Sequence, residues 1–172
     1  GAAHLVGINF GTQLTPTQAD LAAFGITEMQ TNFGIGKSAT NVMTQPQLNG
    51  VDDFVRSLIV ISKAFALGLT KTAIVPMSVQ NGGSQFTDPH AMFDAQSNMQ
   101  SCRNTGRFIA AGVDAFYDAL SKTLDPESPG EYLDKNTLFV AYGDTCKKPT
   151  IGFDWPDITQ DAASWMYVMD PG

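Results

Sequence analysis

The sequence predicts an α/β domain built on an open, largely parallel sheet flanked by helices, and three observations lead there. An apolar stretch with helical spacing, Val51 to Ala66, is followed by a short β-branched run, Thr72 to Val79. A second helical stretch, from about Asp94 to Leu124, leads into another apolar run, Leu138 to Tyr142. A strand, a covering helix and a second strand form a crossover, which pairs its strands in parallel with a right-handed connection.

The chain has 172 residues, enough for one full core, whereas two would each be small, so one domain is expected. Residues 1–49 read as an irregular amino-terminal segment packed on a core at 50–172. That segment is rich in Gly, Thr, Asn and Gln and sustains neither a period of 2 nor one of 3.6. Within it, Thr15-Pro16-Thr17-Gln18 resembles a helix start, with Thr15 as N-cap and Pro16 in the first helical position. The short helix it opens should end near Gly25.

In the next element Val51, Phe54, Val55, Leu58, Ile59, Ile61, Ser62, Phe65 and Ala66 recur on one helical face, and Gly68 sits where a glycine stops a helix. Thr72 to Val79 reads as a strand bounded by Gln80-Asn81-Gly82-Gly83, with Pro76 marking an edge or a bulge. The loop from Gln80 to Phe93 is longer than a plain connection needs, which raises the chance that it carries function. In the long helix that follows, Met99, Cys102, Phe108, Ile109, Val113, Phe116, Tyr117 and Leu120 are spaced to cover a sheet. Asp125-Pro126-Glu127-Ser128-Pro129-Gly130 ends it in an exposed loop. Asn136-Thr137 opens the strand Leu138–Tyr142, Gly143 closes it, and Trp165 to Met169 is a last strand. No internal repeat is visible.

Composition narrows the function classes. Charged residues make up only 16% of the chain and hydrophobic ones 43%, so the surface carries few charges for a free monomer and part of it is expected to be covered. A net charge of −7 with thinly spread Lys and Arg argues against a phosphate-backbone partner, because nucleic-acid binding needs a basic patch. The apolar stretch from Leu58 to Leu69 is broken by Ser62, Lys63 and Gly68, short of the roughly 20 residues of a membrane span. Gly1-Ala2-Ala3-His4 has neither a basic nor an apolar leader region, so an export signal is expected to have been removed or never to have existed. Cys102 and Cys146 form one possible pair, which by itself does not decide between oxidising and reducing compartments.

In open α/β sheets ligands bind beyond the carboxyl ends of the strands. Here those ends lead into the Gln80–Phe93 loop and into Gly143-Asp144-Thr145-Cys146, with the loop Ile151 to Asp157 able to reach the same rim. Asp88-Pro89-His90 sets a carboxylate and an imidazole two residues apart, on one side of an extended segment, where both could reach one cation. The plainer reading is a turn in which Asp88 caps backbone amides and His90 is solvated. Asp144 follows a strand directly and is aimed at the rim, or else closes an Asx turn with Thr145. Asp154, between Phe153 and Trp155, is a surface-turn residue or a pocket acid. Together Asp88, His90, Asp144 and Asp154 are the candidate metal ligands. His4 and His90 are the only histidines, so a site built on several histidines cannot be assembled, and an oxygen-rich calcium or magnesium site is chemically easier than zinc. Lys147-Lys148 read as solvated. There is no G-x-S-x-G elbow and no Cys-x-x-Cys pattern. Gly36-Lys37-Ser38 lacks the glycine five residues earlier that a P-loop requires.

Taken in order, residues 50–172 resemble the carboxyl-terminal part of the bacterial family known as domain of unknown function 1501, sulfatase-like proteins of the alkaline phosphatase superfamily. Its FDTH-type motif corresponds to Phe86-Thr87-Asp88-Pro89-His90, with one residue inserted after the phenylalanine. Its SEFGRTP motif corresponds without gaps to Gly143-Asp144-Thr145-Cys146-Lys147-Lys148-Pro149, and its GRDHW-type motif to Gly152-Phe153-Asp154-Trp155, which keeps the acid but lacks the arginine and the histidine. The resemblance implies an alkaline phosphatase-like fold in part and a periplasmic or extracellular location. In the superfamily, two metal ions held by Asp and His activate a Ser or Thr nucleophile. Residues 1–50 show no convincing strand carrying that nucleophile and a first metal-binding Asp. The expectation is therefore a degenerate, non-catalytic domain acting in binding or as a subunit of a secreted or cell-envelope assembly, with protein partners and one retained divalent cation. The alternative is an active metal-dependent phosphate or sulfate ester hydrolase whose nucleophile lies on a missing amino-terminal segment or on a partner chain.

Overall fold

The computed structural model describes residues 10–33, 43, 45–75, 96–142 and 166–169. These form five helices and one two-stranded sheet. The helices are α1 (Phe10–Leu14), α2 (Gln18–Ala23), α3 (Ile26–Phe33), α4 (Gln45–Ala66) and α5 (Gln96–Ser121). A 3-10 turn, Leu133–Asn136, precedes strand β1 (Phe139–Tyr142), which pairs with β2 (Met166–Met169).

Helix α4 buries Leu48, Val51, Phe54, Val55, Leu58 and Ile59, a stripe at three- and four-residue steps. Its end is a Schellman motif. Gly68 takes φ +64, its N–H donates to the Phe65 carbonyl at 2.9 Å, and the Leu69 N–H donates to the Ala64 carbonyl at 2.9 Å. Helix α5 buries Phe108, Gly112, Phe116 and Leu120 at successive four-residue steps, and this stripe packs on α4. Phe65 meets Phe116 edge to face at 6.5 Å, and a side chain at Gly112 would touch Val55. Gly68, just past α4, faces Pro126, just past α5, so the two helices run in the same direction.

The open, largely parallel sheet is overturned. The described residues are mostly helical, and their one sheet is the antiparallel pair β1–β2, in the register Phe139↔Met169 to Tyr142↔Met166. Of the expected strand Thr72–Val79, residues 72–75 are not in a strand, and the rest lies outside the described residues. The physical reason is that a helical stripe must be buried, but nothing local dictates against what. The face of α5 meets the complementary face of α4, so the expected α5-on-sheet layer becomes a helix-on-helix layer. No part of an alkaline phosphatase-like sheet is present among the described residues.

Three helices occupy the stretch from Phe10 to Phe33, where one was expected. Leu21, Phe24, Ile26 and Met29 close the core from that side, and Phe33 packs edge to face on Phe108 at 5.7 Å. Helix α2 ends before Gly25, which takes φ +78, as expected. Its N-cap is Thr17, not Thr15. The Thr17 hydroxyl accepts from the Asp20 N–H at 3.2 Å, and the Thr17 N–H donates to the Asp20 carboxylate at 2.7 Å, closing a capping box. Thr15 instead offers its carbonyl to Lys63 of α4 at 2.9 Å.

Lys63 also bridges Asp20 at 2.7 Å. Burial alone would raise the Asp20 pKa, but the hydrogen bonds from Lys63 and Thr17 outweigh it and hold the carboxyl below its ordinary value. A depressed pKa contributes stability above the unfolded-state value, near pH 4, and that contribution is lost as the pH falls through the folded-state value. Urea midpoints should therefore fall on acidification below about pH 4, and Asp20→Asn should make that fall shallower. An unchanged acid slope in the variant would show that the Asp20–Lys63 bridge carries no proton linkage.

Candidate functional site

Strands β1, Phe-Val-Ala-Tyr, and β2, Met-Tyr-Val-Met, contain no charge, no proline and no glycine. Side chains alternate across a strand and partners in an antiparallel pair share a face, so the register sorts them into two sets. Phe139, Ala141, Tyr167 and Met169 lie on one face; Val140, Tyr142, Met166 and Val168 lie on the other. Leu138, two residues before Val140, continues the second set.

The first face turns toward α5. Phe139 packs against the core cluster. The Tyr117 hydroxyl of α5 donates to the Thr137 carbonyl at 3.3 Å, tying the lead-in of β1 to the helix. Burial pushes the Tyr117 phenol up; a backbone hydrogen bond from Phe139 pulls the other way, and Tyr167 adds to the rise. Tyr117 and Phe139 thus join helix and ribbon, while Tyr167, on the same face, stays exposed.

The second face is open. Leu138, Val140, Tyr142, Met166 and Val168 are each between 42% and 69% exposed. These five apolar side chains carry no charge among them, and the outer edge of each strand pairs with no described residue. An unpaired, uncharged edge of this kind is a template for adding another strand unless something covers it.

The base of the ribbon is braced. The Asp125 N–H donates to the Glu131 carbonyl and the Leu133 N–H to the Thr123 carbonyl, both at 2.9 Å, which closes the loop between α5 and the 3-10 turn. The Asp125 carboxylate accepts from the Glu127 N–H at 2.8 Å and from Asn136 at 2.9 Å. These bonds, the backbone one foremost, hold its pKa below the ordinary range. Leu133 is buried beside α5 and anchors the turn that aims β1.

All four candidate ligands, Asp88, His90, Asp144 and Asp154, lie outside the described residues, as do Cys146 and the loops that carry them. Tyr142 and Met166, which in the sequence flank the stretch that holds Asp144 and Asp154, are cross-strand partners. Among the described residues, no group of three or more His, Cys, Asp or Glu side chains is placed to hold a metal ion, and no helix is long and apolar enough to cross a membrane. The outward ribbon face was missed by sequence reasoning. Its signal was the unbroken apolar character of Leu138–Tyr142 and Trp165–Met169, which ordinarily marks a strand buried on both faces. No family model matches the chain, and neither a curated protein nor a solved structure shows significant similarity to it.

Proposed function

We propose that this chain is a non-catalytic binding or assembly module of a secreted or cell-envelope complex, a degenerate relative of the sulfatase-like family, which offers its β1–β2 ribbon to a protein partner. The observation that carries the reading is the outward face of Leu138, Val140, Tyr142, Met166 and Val168, apolar and exposed on a chain with few charges. Motif order in the sequence supports the kinship; the parallel sheet that went with it is withdrawn. In its source cells the chain should elute in a stable complex well above monomer mass. Tyr142→Glu combined with Val168→Lys should release it to monomer mass, with the circular dichroism spectrum and Tm unchanged, because both side chains are exposed. Elution of the unmodified chain as a monomer would overturn the reading.

The same proposal places one divalent cation, calcium or magnesium before zinc, on Asp88, His90, Asp144 and Asp154. Elemental analysis after dialysis should find about one equivalent, reduced in Asp88→Ala. Assays on phosphate and sulfate esters should find no turnover. Turnover abolished by Asp144→Ala would instead establish the metal-dependent hydrolase.

A further inference from the structure

We draw no further inference here: the strongest candidate, the uncharged outward face of the β1–β2 ribbon, whose outer strand edges pair with no described residue, belongs to the site already described, and nothing in the structure shows which partner chemistry covers it.

Discussion

Phe116→Ala should lower the unfolding free energy by about 3–5 kcal/mol, the range for emptying a buried aromatic site. Phe116 is 3% exposed and lies on the α5 stripe that faces α4. Its ring meets Phe65 at 6.5 Å and Tyr117 at 5.8 Å, both edge to face, so the variant loses two aromatic contacts as well as its own burial. At roughly 2–4 °C of Tm for each kcal/mol in a domain of this size, the midpoint should drop by about 10 °C. Ile74→Ala is the control. Ile74 is 87% exposed, and its removal should stay within about 0.5 kcal/mol. Urea unfolding of both variants checks the ranking. If the two cost the same, the α4–α5 interface is not the core.

Two glycines on α5 should respond to substitution with opposite signs. A Cβ built at Gly112 would lie 2.7 Å from one Val55 methyl and 3.3 Å from the other. Val55 is fully buried and β-branched, so it has neither space nor spare rotamers with which to yield. Gly112→Leu should therefore cost about 3 kcal/mol through overpacking, and Gly112→Ala less, because both regain most of the helix propensity that glycine lacks but alanine forces only one methyl against Val55. At Gly106 nothing lies within 4 Å, so Gly106→Ala should stabilise by about 0.5–1 kcal/mol. Pairing Gly112→Ala with Val55→Ala should cost less than the two changes summed, a coupling that a double-mutant cycle reads directly. Stabilisation by Gly112→Ala to the extent seen at Gly106 would mean that α4 and α5 do not approach at that point.

The candidate site divides along the same line as the fold. The ribbon strands were legible as strands because an apolar run bounded by Gly, Asn or Thr reads the same whatever it pairs with. Their open face was not legible. Val140 and Tyr142 look like core residues in the sequence, and only the register opposite Val168 and Met166 puts them on the side away from α5. Thr17 makes the same point on a smaller scale. Thr15 was the cap expected from the sequence, but Thr17 caps the helix, and its partner three residues on, Asp20, also meets Lys63 from a distant helix.

What the sequence determined by itself was local. It placed α4 from Val51 onward and its stop at Gly68, though not the opening turns from Gln45; it also placed the buried stripe Phe108, Phe116 and Leu120 of α5, the loop Asp125–Gly130, and the two runs that became β1 and β2. Each of these follows from a period, a cap or a turn residue within a few positions, where backbone sterics and side-chain spacing act directly. Tertiary structure alone decided that α5 packs on α4 instead of on a sheet, and that β1 meets β2 antiparallel. A period states that a face must leave water; which surface receives it depends on the shape and volume of partners far away in the chain, as the fit of Gly112 against Val55 illustrates.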